Sequence, residues 1–191
     1  YGMTKQVDEV MCQFYARQSG MPLATARFGH TISPDELVDP DNPHCGQLFY
    51  LNARLAKLRS RRPMTDAVQQ TIAILERLQP ADGAERLLIP YDENGASWRY
   101  SLCHVNDLVD GILLCLDRRE AVGDVFNLGP STGFALDAAA KHLSARTGIP
   151  YVEARLPGPP WRYTLAIGKA RAILGYSPQF SIFDIIDQGA R

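Results

Sequence analysis

Leu23-Ala24-Thr25-Ala26-Arg27-Phe28 and Asp124-Val125-Phe126-Asn127-Leu128 are two short, largely apolar runs set between turn-forming residues. Ser19-Gly20 and Pro22 precede the first, and Gly129-Pro130 follows the second. A strand covered on both faces reads as a short apolar run rather than as a strict alternation, and such strands build parallel sheets. The two segments are therefore predicted to share one parallel sheet. Parallel strands need a long crossover, so the chain between them is expected to begin a second lobe.

Working outward, Val7, Val10, Met11, Phe14 and Tyr15 recur at helical spacing, and the opening helix is predicted to reach about Gln18 before Gly20 and Pro22 stop it. Val7, Met11 and Phe14 or Tyr15 are expected to pack against the sheet or across a dimer. Leu48, Leu51, Leu55 and Leu58 place a helix over Gln47 to Arg59, ending in a basic cluster with Arg61 and Arg62; Val68, Ile72, Leu75 and Leu78 place another over Asp66 to Leu78. Ser33 to Pro43 reads as a loop. Arg86 to Tyr91 and Tyr100 to Val105 read as strands around the turn Asp92-Glu93-Asn94-Gly95, and Asn106 is expected to cap a helix reaching Leu116. Ala135 to Arg146 is helical, Tyr151 to Leu156 a strand, and Pro157-Gly158-Pro159-Pro160 a loop. Two helices close the chain, about Ile167 to Leu174 and Ile182 to Ala190. The sum is an α/β fold.

Composition narrows the partners. With 46% hydrophobic residues, 21% charged residues and a formal net charge of −1 over 191 residues, the chain can bury a core and carries no footprint for nucleic acid. No apolar run approaches the roughly 18 residues that span a bilayer, so no membrane partner is expected. Four cysteines without a CxxC suit a reducing, cytoplasmic setting. Cys103-His104 and His44-Cys45 resemble metal pairs, but adjacent strand residues point to opposite faces and no second pair lies at ligand spacing; no metal is expected. Gly129 to Gly133 lacks the spacing of a phosphate loop and reads as a strand-to-helix turn. Since the chain opens directly into a helical pattern, it is expected to be a piece of something longer.

Tyr1 and Lys5 stand four residues apart on that helix, which puts both side chains on one face. A phenol titrates near about pH 10 in water, and an ammonium held beside it favours the phenolate. Such a tyrosine can take a proton from a hydroxyl while hydride leaves the carbon.

Tyr1-Gly2-Met3-Thr4-Lys5 with Glu9 resembles the YGxSKxxxE helix of extended short-chain dehydrogenase/reductases, the NAD(P)-dependent epimerase/dehydratase family. Arg27-Phe28-Gly29-His30-Thr31-Ile32-Ser33-Pro34 is similar in position to its RxxNVxGP stretch. His104 to Gly111 resembles HVDDLxxA, Val125 to Gly129 resembles VFNLG, and Lys169-Ala170-Arg171 through Leu174-Gly175-Tyr176 and Pro178 resembles SKAxxxLGYxP. The resemblance implies the C-terminal part of a Rossmann-like doubly wound parallel sheet, made by residues 1–34 and about 100–132. A smaller mixed α/β substrate-binding lobe would comprise 35–99 and 133–191.

Carried over residue by residue, the resemblance makes Tyr1 the catalytic acid/base and Lys5 its partner, both against the cofactor, with Phe28 and His30 beside the nicotinamide. His30 stands where the family has an asparagine that contacts a nucleotide-sugar substrate. Arg99 stands near the family's diphosphate-binding arginine, one residue farther from His104 than the RDFxHV spacing. Arg162, with Arg155, is a further phosphate candidate. Near Lys169 the family often has Asp and Ser, where this chain has Ala166 and Gly168. The resemblance also implies NAD or NADP in the intact enzyme and a homodimer. Because the glycine fingerprint is missing from these residues, no cofactor is expected to bind this chain stably and the isolated chain is expected to be inactive. A noncatalytic binding or assembly protein of the same architecture is the alternative.

Overall fold

The computed structural model describes all residues 1–191. Helix α1 (Gly2–Ser19) ends at Gly20, whose φ of 68° closes the helix in the left-handed region. Strand β1 (Thr25–Phe28) and the two-residue β2 (Thr31–Ile32) follow, then the short helix α2 (Pro34–Val38). The predicted loop thus holds a helix. Ser33 and Glu36 form a capping box around Pro34 at its first turn, a signature legible in the sequence.

The helix expected over Gln47 to Arg59 is two, α3 (Gly46–Phe49) and α4 (Leu51–Ser60). Tyr50 breaks it: this residue is extended, bridges Leu87, and donates its buried hydroxyl to the Val38 carbonyl at 2.7 Å. One tertiary hydrogen bond and full burial of a large ring outweigh the helical preference of a single residue. Helix α5 (Asp66–Glu76), capped by Thr65, precedes β3 (Leu87–Tyr91).

The expected strand over Tyr100 to Val105 is split into β4 (Arg99–Tyr100) and β5 (Cys103–His104), and α6 (Val105–Asp117) starts two residues early because His104 rather than Asn106 is its cap. His104 Nδ1 accepts from the Asn106 amide at 3.1 Å. The Asp92–Gly95 turn forms, with Gly95 at φ 83° and Asp92 Oδ1 accepting from Asn94 and Ala96, but it closes only a single bridge, Tyr91 to Ser97. Strands β6 (Val125–Leu128) and β7 (Phe134–Ala135), helix α7 (Leu136–Thr147), β8 (Tyr151–Arg155), α8 (Gly168–Leu174) and α9 (Ile182–Gly189) complete the chain.

The deciding pair of strands behaves as predicted. β1 and β6 run parallel, with Thr25 opposite Val125 and Phe28 opposite Leu128. β2 and β5 are also parallel, as are β3 and β8, while β4 and β7 are antiparallel. Phe126 and Leu128 of β6 join Cys103, Leu108, Cys115, Ile167, Ala170, Leu174 and Tyr176 in one core. There α6 lies so close that a Cβ on Gly111 would meet Leu128 Cδ1 at 2.9 Å. A second core gathers Leu37, Phe49, Tyr50, Leu87, Ile89, Leu143, Ile185 and Ile186, and a third joins Leu51, Leu55 and Leu58 to Val68, Leu75 and Leu88. Each such buried side chain contributes on the order of 2 kcal/mol.

In the opening helix one of the two expected packings, that against the sheet, is not made. Val7, Met11, Phe14 and Tyr15 are all exposed, and Ala16 is its one buried residue, so none of the four is used against the sheet.

Candidate active site

Tyr1 occupies the position before the first turn of α1, where its carbonyl accepts from the Lys5 amide at 3.1 Å. The helical spacing brings the Lys5 ammonium to 5.8 Å from the centre of the Tyr1 ring. Asp8 lies 3.5 Å from the same ammonium. The Tyr1 ring is 96% exposed.

Glu9 links this helix to β1. Arg27 at the strand end donates from Nε and Nη2 to the two Glu9 oxygens, at 2.7 and 2.5 Å. That paired hydrogen bond holds the Glu9 carboxyl below its ordinary range and raises Arg27 above its own. Tyr1, Lys5, Asp8 and Cys12 then line one open depression with Ala24 through Phe28, and Phe28 is half exposed at its edge.

Past Phe28, the carbonyl of His30 accepts from the Cys103 amide at 2.9 Å, which ties the loop to β5. The His30 ring stacks on Tyr100 with centroids 5.6 Å apart, and His44 and Tyr163 flank it at 6.3 and 6.2 Å. The Tyr100 hydroxyl and His30 Nδ1 are hydrogen-bonded. Burial, and then the neighbouring His44, pulls His30 below the usual histidine range. Burial pushes Tyr100 up to about 12, with Tyr163 and Cys45 adding to it. Near neutral pH the pair therefore offers a protonated phenol and a neutral imidazole. Gly29 lies in close approach to the ring: a Cβ would stand 2.5 Å from the Tyr163 hydroxyl, and that side chain would have to shift.

Arg99 and Arg162 are brought together. They are register partners in a parallel bridge, with Arg99 N donating to Trp161 O at 2.9 Å and Tyr163 N to Arg99 O at 3.0 Å. Both are exposed. Side chains alternate along a strand, so the two arginines share one face while Trp98, Tyr100, Trp161 and Tyr163 share the other. The ring contacts agree: Trp161 lies 5.2 Å from Tyr100 and 5.9 Å from Trp98. His30 is on the aromatic face, and the arginines are not. The residue four before His104 is Tyr100. A one-residue displacement exchanges the faces, and the sequence already carried that signal in the Arg99 offset.

Among the residues read as structural, Cys103 is buried near Tyr176, whose hydroxyl donates to Gly129 O at 2.9 Å, and burial raises the thiol to about 11. Cys45 is buried and pushed up to about 12, whereas its neighbour His44 is exposed beside His30. No group of three or more His, Cys, Asp or Glu side chains converges as a metal site would require, and no helix is long and apolar enough to cross a membrane. Sequence reasoning missed Tyr100, Tyr163, His44 and Asp8, because only the folded chain brings the first three to His30.

The NAD dependent epimerase/dehydratase family model matches residues 1–129, and the chain belongs to that family. Its fold is that of solved extended short-chain dehydrogenases. A short-chain dehydrogenase/reductase superfamily protein from Agrobacterium tumefaciens, solved with bound NAD, is 29% identical with a TM-score of 0.87; the alignment covers 100% of this chain and 56% of that one. UDP-glucose 4-epimerase from Thermotoga maritima with UDP-glucose is 21% identical, with a TM-score of 0.62 and coverage of 100% and 52%. UDP-glucuronic acid 4-epimerase from Bacillus cereus with NAD is 20% identical, with a TM-score of 0.59 and coverage of 100% and 49%. The latter two bear on fold alone. The chain spans about half the length of these structures. No curated protein matches it.

Proposed function

We propose that this chain is the tyrosine–lysine part of an NAD(P)-dependent epimerase or dehydratase acting on a nucleotide-sugar-like substrate. The observation that carries this reading is the Tyr1–Lys5 pair on one helix face, at the mouth of the depression edged by Phe28. NAD or NADP, when bound, supplies the acceptance and return of hydride. Tyr1 takes the proton of the substrate hydroxyl and gives it back, and Lys5 holds positive charge beside the phenol. Phe28 and His30 form the wall along the cofactor and the reacting end of the substrate. Arg99 and Arg162 are proposed as an outer anion contact, separate from that wall.

The lobes follow the same reading. Residues 1–34 and about 100–132 belong to the dinucleotide-binding side, and 35–99 and 133–191 form the substrate lobe, with Ile167 to Tyr176 lending apolar side chains to the first core. The exposed apolar side chains of α1, Met3, Val7, Met11 and Phe14, favour a homodimer through this helix. They equally support the second reading, a noncatalytic assembly protein.

The residues present fit only one side of a cofactor. Tyr1, Lys5 and Phe28 offer a ribose and ring contact, whereas these residues hold no glycine fingerprint for the phosphates. The isolated chain is accordingly proposed to be inactive and to retain no cofactor. Joining it to a dinucleotide-binding half and assaying NAD(P)-dependent conversion of UDP-glucose and related nucleotide sugars tests the reading. Turnover that requires Tyr1 supports it, and absence of turnover with bound cofactor favours the assembly protein.

A further inference from the structure

His30 sits where two distant segments are tied together. Its carbonyl accepts from the Cys103 amide at 2.9 Å, and Thr31 and Ile32 pair with Cys103 and His104. That pairing brings the His30 ring onto Tyr100, three residues before Cys103, with centroids 5.6 Å and planes 28° apart. Tyr100 is held in place: it is 4% exposed, and Phe134, Trp161 and Tyr163 pack around its ring at 6.4, 5.2 and 5.4 Å. His30, by contrast, is an exposed residue.

The Tyr100 hydroxyl and His30 Nδ1 share one hydrogen bond, and either group could supply its proton. Of the two neutral groups, the phenol is the stronger acid and the imidazole nitrogen the stronger base, so the proton stays on the phenol oxygen and points at Nδ1. Burial holds the Tyr100 proton in place up to about 12 and keeps His30 neutral near neutral pH. A neutral imidazole has a single N–H, which therefore falls to Nε2. Nε2 takes no partner within the chain, whereas Nδ1 is occupied. His30 thus offers one N–H of fixed tautomer, and the residue that fixes it lies seventy positions along the chain.

We propose that Tyr100 is a positioning residue: it fixes His30 as an Nε2–H donor for a hydroxyl or carbonyl oxygen of the sugar that is oxidised and reduced. The inference rests on the reading that places His30 beside the reacting end of a nucleotide-sugar-like substrate. It adds what that wall selects, an uncharged acceptor oxygen, and which side chain prepares it. A ring fixed in advance spares the cost of ordering it when the substrate arrives.

Nitrogen NMR of the labelled imidazoles tests the tautomer in the chain itself. Above the His30 midpoint, Nδ1 should show the shift of an unprotonated ring nitrogen and Nε2 that of a protonated one. Tyr100→Phe keeps the ring in the core and removes only the hydroxyl, so the two shifts should move toward each other as the second tautomer is populated. Tyr163→Phe, at the other tyrosine beside His30, should leave them in place. A protonated Nδ1 in the unaltered chain overturns the proposal, and that measurement stands even if Tyr100→Phe misfolds. Shifts that a folded Tyr100→Phe does not move overturn it as well. The ligand contact is read as the Kd of UDP-glucose for the chain joined to a dinucleotide-binding half and loaded with NAD. Tyr100→Phe should raise that Kd about three- to tenfold, the cost of ordering one side chain. In a His30→Asn background, where an amide donates without a tautomer, the same change should raise it about twofold at most. An equal rise in both backgrounds means that Tyr100 acts through packing, which overturns the positioning role. UDP-glucose that does not bind, or whose Kd Tyr100→Phe leaves unchanged, overturns the sugar contact. Neither the tautomer nor Kd requires turnover, so if Tyr1→Phe leaves the rate unaltered while both results hold, the catalytic reading fails and this one stands.

Discussion

The hydroxyl of Tyr100 is hydrogen-bonded to Nδ1 of His30, while Arg99, one residue earlier, stands on the opposite face beside Arg162. The wall of His30 and Tyr100, proposed to adjoin the Tyr1–Lys5 pair, is therefore built of neutral donors and ring faces. Its protonation is set by burial more than by charge.

His30 should titrate below the ordinary histidine value of 6.5. Because burial is the larger cause and His44 the smaller, His44→Gln should raise the His30 midpoint yet leave it below 6.5. The unfolded chain then binds the extra proton more readily. The His30 contribution to stability is complete above pH 6.5 and declines as pH falls from 6.5 toward the folded midpoint, an effect reduced by the exposure of the ring. Imidazole NMR shifts followed against pH in both chains measure it. A midpoint at or above 6.5 contradicts the description.

Much of this was legible beforehand, and the misses have physical causes. β1 and β6 were readable as short runs between turn-forming residues, although of the two only β6 is buried, at Phe126 and Leu128, while Arg27 and Phe28 of β1 are exposed. The break at Tyr50 was not, since Leu51, Leu55 and Leu58 keep the helical period and only the distant Leu87 and Val38 reveal why Tyr50 is extended. Ser33 and Glu36 did announce α2 and were outweighed by the Pro, Asp and Asn around them. In the proposed site, Tyr1 and Lys5 are local, so their spacing and the resemblance around them are readable in the sequence, whereas Tyr163 reaches Gly29 across more than a hundred residues of chain.

Asp107 belongs to the segment that resembles HVDDLxxA, and its role here is structural. The buried carboxylate accepts from the Gln179 amide at 2.7 Å and the Phe180 amide at 3.0 Å, and it fixes the chain where Phe180 stacks on His104 at 4.0 Å. Asp107→Asn turns one acceptor into a donor facing an N–H. Stability should drop by about 1–3 kcal/mol, the cost of a buried group left unpaired. Urea unfolding of the two chains gives the difference directly.

Gly189 ends α9 against α2. A Cβ there would stand 2.1 Å from the Pro34 carbonyl oxygen, and backbone cannot rotate aside as a side chain can. Gly189→Ala should force the two helices apart around Leu37, Ile182, Ile185 and Ile186 and destabilise the chain by about 1–3 kcal/mol. Gly168→Ala, at the start of α8 with nothing within 4 Å of the added carbon, serves as the comparison and should be neutral or slightly stabilising. Equal effects at the two positions would mean that the α2–α9 contact is looser than described.

The catalytic reading is tested with the chain joined to a dinucleotide-binding half. Tyr1→Phe removes the hydroxyl that exchanges the proton and leaves the ring, which is almost wholly exposed and contributes little packing here. Turnover should fall by roughly 10²–10⁴-fold, as expected for loss of a general acid/base, while the Kd of the substrate changes far less. Lys5→Met should also slow turnover, since the ammonium 5.8 Å from the ring would be gone, and Lys5→Arg should restore part of it. Asp8 shares the Lys5 ammonium at 3.5 Å, so Asp8→Asn should alter the rate far less than either, because it touches Lys5 and not the ring. If the Tyr1→Phe enzyme turns over at the unaltered rate, the phenol does not move the proton, and the exposed face of α1 is then better explained as an assembly surface.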